Sequence, residues 1–115
     1  MARALSFADV RKAALSLPDA EEASSHGLTG FRQRGKLFLV FREKLEAIVL
    51  RASFEQRDAM IAEDPETYFT NDHYRGYPWV LARLARLNAK VLPDLLQMAL
   101  LAAPPPKAAR KAKRK

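Results

Sequence analysis

Cysteine is absent from this chain, and that single gap removes several chemistries at once. There is no disulfide frame, no thiolate zinc site and no cysteine nucleophile, a pattern that fits a reducing compartment. Histidine occurs twice, at His26 and His73, in separate segments, so neither a histidine-rich metal cage nor a Ser-His-Asp spacing can be assembled from sequence. Asp72 and His73 are neighbours and would point opposite ways on a strand, which denies them the geometry of an orienting pair. Long apolar runs are missing too: none approaches the length of a membrane span. Near the start, Asp9, Arg11 and Lys12 interrupt any signal-peptide-like apolar core, so the expected location is the cytoplasm and no membrane is an expected partner.

What is present fits one globular domain followed by a tail. At 115 residues, 49% of them apolar, the chain is long enough to bury a core without covalent staples. The formal charge of +7 is unevenly placed. Lys107, Arg110, Lys111, Lys113, Arg114 and Lys115 lie in residues 104–115 with no acid among them, leaving fourteen bases against thirteen acids in the rest. Lacking any large apolar residue, 104–115 reads as a disordered basic tail and 1–103 as the domain. Inside the domain, residues 31–51 and 75–90 are rich in bases, whereas residues 53–72 hold six acids and one base.

Along the chain, Ser6 with Asp9 forms a capping pattern before Phe7, Val10, Ala13, Ala14 and Leu17 at helical spacing, and Leu17-Pro18-Asp19 ends that helix. Residues 20–25 suit an edge strand. Residues 31–34 and 37–42 form a hairpin around Gly35, and a further strand spans 45–51 after a turn at Glu43-Lys44. Leu37-Phe38-Leu39-Val40-Phe41 is apolar on both faces. Such a strand is central, or covered on both sides, or covered on one and offered to a partner on the other. Ser53 with Gln56 opens a second helix, and Asp64-Pro65 caps one more helical turn that folds Tyr68 and Phe69 onto the core. A polar loop leads to a strand over 79–84. Asn88 is placed to cap a last helix striped with Leu92, Leu95, Leu96, Ala99 and Leu100, and Pro93 requires that helix either to begin near Leu92 or to open irregularly.

The motif Asp64-Pro65-Glu66-Thr67-Tyr68-Phe69, the glycine-containing polar loop after it, and Trp79-Val80 leading to Arg83-Leu84 resemble the MmcQ/YjbR family over residues 5–103. The resemblance implies an α+β fold with an antiparallel sheet of about five strands packed with N- and C-terminal helices, a two-layer sandwich similar to frataxin. It also implies a double-wing mode of DNA binding, in which hairpins project beside a helix. On that reading Arg32, Arg34, Lys36, Arg42 and Lys44 supply phosphate contacts, Arg75, Arg83 and Arg86 form a second strip, and the six tail cations add sequence-independent attraction. Nothing designates base-edge readout. Strand-surface arginines also serve solubility and edge protection, which is the plainer account of the same residues.

Three further patterns carry less. Arg34 to Phe41 imitates an RNA-recognition strand but fails at Lys36 and Leu37. Frataxin-like folds can hold iron on an acidic first helix, yet here Asp9 is followed by Arg11 and Lys12; Glu21 and Glu22 are neighbours, and the acids Asp58, Glu63, Asp64, Glu66 and Asp72 read as a solvated face. No metal or cofactor is therefore expected. The loop residues Asn71, His73, Tyr74, Arg75 and Tyr77 with Trp79 gather donors and rings that suit a small-molecule or peptide cleft, or else form the edge of the core with wet polar tips. The expected function is non-enzymatic DNA binding by a monomer or weak homodimer. The alternative is a ligand- or partner-binding module built on residues 71–79.

Overall fold

Alternation of side chains along six strands builds this molecule around one sheet with two unlike faces. The computed structural model describes residues 5–25 and 27–102. In order, the elements are helix α1 (Phe7–Leu15), strands β1 (Ala20–Ser25), β2 (Leu28–Gln33), β3 (Lys36–Arg42) and β4 (Ala47–Arg51), helix α2 (Phe54–Glu63), strands β5 (Tyr68–Phe69) and β6 (Trp79–Arg83), and helix α3 (Leu92–Ala102). Short 3-10 turns follow β3 and β6. The sheet is antiparallel throughout, with strand order β1-β2-β3-β4-β6-β5. This is the α+β arrangement expected, with six strands. The extra one is β5: Tyr68 and Phe69 do fold back, and in doing so pair with Ala82 and Leu81.

The helix ends are set by side chains. Ser6 Oγ accepts from the Asp9 amide at 3.2 Å while Asp9 returns a bond to the Ser6 amide at 2.9 Å. Ser53 and Gln56 make the same reciprocal pair at the head of α2. Each such cap stabilises its helix by about 1 kcal/mol. Asn88 Oδ1 accepts from the amides of Lys90 and Val91, so α3 begins at Leu92 and Pro93 falls in its first turn, where a missing N–H costs no helical bond.

Where the chain reverses between β2 and β3, Arg34 and Gly35 both sit at positive φ, 52° and 82°, as the tight two-residue turn of a twisted hairpin requires. Gln33 and Arg34 then bind back to the α1–β1 connection. Gln33 Nε2 donates to the Pro18 carbonyl at 2.9 Å, and Arg34 Nε to Asp19 at 2.8 Å. The hairpin tip is thus stapled down.

Two side-chain sets emerge from the strands. One contains Phe31, Leu39, Phe41, Ile48, Leu50, Val80 and Ala82, all buried beneath Val10 and Ala14 of α1 and Leu92, Leu95, Leu96 and Ala99 of α3. Met60 and Ile61 of α2 pack against the same core. The rings of Phe7 and Phe31 flank Phe41 at centroid distances of 5.0 and 5.2 Å. The other set, Val40, Val49 and Leu81 with Trp79, lies on the face the helices leave open, together with Leu37 and Phe69.

A β-bulge resolves the apolar run of β3. Phe31 pairs with Leu39 but Arg32 pairs with Leu37, so Phe38 is an extra residue. Phe38, Leu39 and Phe41 enter the helix-covered core, while Leu37 and Val40 face the other way. The run is therefore central, with its second face partly covered by the loop from Thr70 to Pro78. The expectations for residues 104–115 and for His26 lie outside the described residues.

Candidate functional site

The open face of the sheet begins as an apolar floor. Leu28, Leu37 and Val40 come from β2 and β3, and Trp79 from β6 adds a ring that is 8% exposed. Above this floor the loop between β5 and β6 brings Tyr74 inward and leaves His73 and Tyr77 exposed at the rim. Arg51, the last residue of β4, closes the wall. Together they bound a cleft of about 440 Å3, within the size range of small-molecule sites.

The loop holds this shape through its own hydrogen bonds. Asn71 Oδ1 and the Asn71 carbonyl both accept from the Tyr74 amide, and the same carbonyl accepts from the Arg75 amide at 2.8 Å. The Tyr74 carbonyl accepts from the Tyr77 amide at 2.9 Å, and Ala52 N–H donates to the Pro78 carbonyl at 3.1 Å. From below, Arg57 of α2 donates to the carbonyls of Arg75 at 2.8 Å and Tyr77 at 3.3 Å. Its guanidinium also meets Asp58 at 3.0 Å and lies over the Phe54 ring. A buried arginine satisfied by loop carbonyls fixes a segment that has little core of its own.

Charge on the open face comes from arginines laid against aromatic rings. The strand register puts Arg32, Arg42, Arg51 and Arg83 on the same side as Leu37, Val40, Val49 and Leu81. Arg51 stacks over Trp79 at 4.3 Å and donates from Nε to the Leu37 carbonyl at 3.3 Å. Arg42 lies over Tyr74 at 5.8 Å and donates to its hydroxyl, and Arg83 lies over Phe69 at 4.2 Å. Such pairs orient the cation and desolvate one side of it.

Of the residues anticipated for a cleft, His73, Tyr74, Tyr77 and Trp79 come together, His73 standing edge-on to Tyr74 at 4.6 Å. Asn71 shapes the loop instead of lining the cavity, and Arg75 turns to Asp72. Of the residues anticipated for phosphate contact, Arg32, Arg42 and Arg83 share the open face, while the rest are spread along its edges or paired elsewhere. Lys36 and Arg42 stand at opposite ends of β3, about 20 Å apart at the usual rise of a strand. Arg34 pairs with Asp19, and Arg86 with Glu66 at 3.2 Å. Arg83 donates to the Glu66 carbonyl at 3.0 Å. Lys44 is exposed in the turn after β3, and Arg32 is half-buried in register with Glu21. The six tail cations lie outside the described residues.

Arg51 and Arg57 lie outside the residues that the sequence pattern nominates for a site. Arg51 carries a legible signal: it shares alternation with Ala47 and Val49 and pairs with Trp79. Arg57 carries none, since its acceptors lie 18 and 20 residues away along the chain.

A second hollow of about 530 Å3 lies between α1 and the start of α3, lined by Leu5, Ala13, Ser16, Leu92 and Pro93 with one acid, Asp9, and one base, Lys12. It holds no ring, and its two opposite charges leave no net attraction for an ion. Among the described residues no group of three or more His, Asp or Glu is arranged to hold a metal ion, and no helix is long and apolar enough to cross a membrane. Tyr68, on the helix side of β5, has its hydroxyl pKa pushed above 10.0 by burial and secondarily by Asp64.

Several known proteins are similar in sequence to part of this chain. Uncharacterised proteins of Mycobacterium bovis and of two strains of Mycobacterium tuberculosis are each 46% identical over 43 residues, 37% of this chain and 33% of theirs. The match thus spans about a third of the length of those relatives. A family model described as YjbR aligns with residues 15–103, a stretch that takes in every strand of the sheet and the whole lining of the cleft, and the chain belongs to the YjbR family.

Proposed function

We propose that this domain is a non-enzymatic binding module whose small-molecule site is the cleft on the helix-free face. The observation that carries the reading is the joint placement of an apolar floor, four rings and Arg51 around one cavity whose loop is held from behind by Arg57. Concave apolar sites with a few fixed polar groups are where ligands bind. Catalysis would need a positioned acid, base or nucleophile; in the described lining the groups able to move a proton are His73, which meets the ring of Tyr74, and the hydroxyls of Tyr74 and Tyr77, and the described contacts join no two of them as a nucleophile and its base.

A thermal-shift screen of acidic metabolites and short peptides tests this. A compound at 100 times its Kd stabilises the fold by about 2.7 kcal/mol. That gain is expected to disappear in His73→Ala and Tyr77→Ala, both exposed positions that leave the core intact. Stabilisation that survives both substitutions places the ligand elsewhere and overturns the reading.

Nucleic-acid binding is the second reading, and what favours it is that Arg32, Arg42, Arg51 and Arg83 share one face. On this reading duplex DNA binds with a salt slope that falls by about 0.9 for each phosphate contact removed. Anisotropy titrations of Arg42→Gln and Arg83→Gln in the full chain measure it. An unchanged slope there, with binding abolished by neutralising the six cations of residues 107–115, assigns the attraction to the tail and removes the domain as reader.

A further inference from the structure

We infer that Gly30 sets the capacity of the cleft: by carrying no side chain it lets Leu37 lie down against β2, and the room so left admits a ligand whose apolar body is larger than a single ring. The inference rests on the cleft being the binding site, and adds the residue that fixes the size of what enters.

A glycine in the middle of a strand weakens it, because it gives up more freedom on folding and brings no side chain to pack. At Gly27 and Gly35 the fold requires glycine through backbone conformation, with φ at 79° and 82°. Gly30, inside β2, is different: its φ lies outside the left-handed region, so a residue with a Cβ could adopt the same backbone. What is missing at Gly30 is space. A Cβ built there would stand 3.0 Å from Leu37 Cδ1, with the carbonyl oxygens of Leu39 at 3.4 Å and Ala23 at 3.5 Å. Packed carbons rest about 3.5–4.0 Å apart, so the Leu37 contact is the one that has to give.

The direction of that contact ties it to the cleft. Gly30 stands opposite Val40, so a side chain there would project from the open face. Leu37 is in register with Arg32, two residues further along β2, and its side chain leans back over Gly30. Gly30 itself is buried and does not line the cavity, whereas Leu37 is half-buried and does. Gly30 is therefore a positioning residue that acts through Leu37. The backbone of Leu37 is held, since its carbonyl accepts from Arg51 Nε at 3.3 Å, so an added Cβ would displace the end of the side chain, and the space beside it is the cleft. An apolar cavity of about 150 Å3 already holds benzene, and the cleft measures about 440 Å3. Room beyond one ring is what the glycine secures. The side chains of Leu28, Leu37 and Val40 offer no hydrogen-bond partner, so the part of the ligand that lies on them is apolar.

The test uses Trp79, the chain's single tryptophan, whose indole N–H gives one assignable proton signal in the lining. The full chain is titrated with 4-methylphenol and 2-naphthol, a one-ring and a two-ring phenol that are both uncharged at neutral pH. In the parent protein both move the Trp79 signal, and 2-naphthol binds about ten-fold tighter because it buries more apolar surface. Gly30→Ala is expected to keep or exceed the parent's denaturation midpoint and to bind 4-methylphenol within about two-fold of the parent, while the advantage of 2-naphthol is lost. Shortening the displaced side chain, in Gly30→Ala with Leu37→Val, restores that advantage, a rescue that a general packing defect would not show. An unchanged preference in Gly30→Ala, a failed rescue, or a Gly30→Ala chain that does not fold makes the glycine a packing residue and overturns the inference, with the cleft left standing on the parent titration. Equal binding of the two phenols by the parent overturns the capacity argument in the same way. No binding of either phenol at millimolar concentration, or binding with the Trp79 signal unmoved, overturns the cleft and this inference with it.

Discussion

The two faces of one sheet are made by the same strands and could hardly be less alike. Toward the helices, Phe31, Leu39, Phe41, Ile48, Leu50, Val80 and Ala82 meet α1 and α3 in a core that is closed to solvent. Toward the other side, Val40, Val49, Leu81 and Trp79 are buried with Tyr74 of a loop instead of a helix, Leu28 and Leu37 beside them stay partly exposed, and the strand ends on that side carry arginines laid over rings. Period-two alternation makes the contrast unavoidable, since each strand must supply both faces. The difference separates a face built for stability from a face whose apolar surface is only partly covered. Uncovered apolar surface beside oriented cations is where recognition has a physical basis.

The sharpest way to break that contrast is to damage one face and read the other. Phe41→Ala removes a ring that is 1% exposed and packed between Phe7 and Phe31. A loss of about 3–5 kcal/mol in chemical denaturation is expected, while at temperatures where the variant stays folded its ligand affinity is unchanged. A comparable loss of affinity would mean the faces are not independent.

Arg57→Met comes next. It removes the donors to the carbonyls of Arg75 and Tyr77, and the expected loss of global stability is about 1–3 kcal/mol. Hydrogen exchange over residues 71–78 should accelerate far more than exchange in β3 or β4, and cleft binding should weaken with it. Uniform acceleration across the sheet would make Arg57 a general core residue instead of a support for the loop.

These two positions also show what can be read from the chain. Phe41 was legible because its neighbours are local in pattern: a capped amphipathic helix, a hairpin and an apolar strand each announce themselves within about ten residues. Arg57 was not. On a helix between Gln56 and Asp58 it looks like solvated charge, and only the return of the chain at Arg75 and Tyr77 buries it. The bulge at Phe38 belongs with Arg57, because an apolar run hides which residue is doubled. For the same reason β5 was missed as a strand. Two residues carry no periodicity, and the bond from the Arg83 amide to the Thr67 carbonyl that anchors the pairing spans sixteen residues. Conversely, the aromatic loop was legible as a cluster, but not which members would face inward.

Smaller effects should follow from the exposed ion pairs that hold the edges. Arg34→Ala and Arg86→Ala each break a pair whose partners are more than half exposed, Arg34 with Asp19 and Arg86 with Glu66. Each should cost about 0–1 kcal/mol, less at high salt, with no change in cleft affinity. A ligand effect from either would extend the recognition face beyond the cleft.

The smallest signal belongs to Tyr68, which faces the helices while its neighbour Phe69 faces away. Burial raises its pKa, so the folded state keeps the proton longer than the unfolded chain does. The associated stability is complete below pH 10 and is lost as pH rises through the raised value. Tyr68→Phe should therefore lessen the alkaline loss of stability relative to the parent protein, measured as the difference between their denaturation midpoints from pH 9 upward. Parallel curves would contradict the assignment.

Methyl carbon–proton spectra recorded while a compound that stabilises the fold in the thermal-shift screen is added address the separation of faces most directly. The account predicts that Leu28, Leu37 and Val40 methyl signals move in proportion to occupancy while those of Ile48, Leu5 and Leu92 stay in place. Movement at Leu5 and Leu92 with Val40 unperturbed would put recognition in the hollow between α1 and α3 and contradict it.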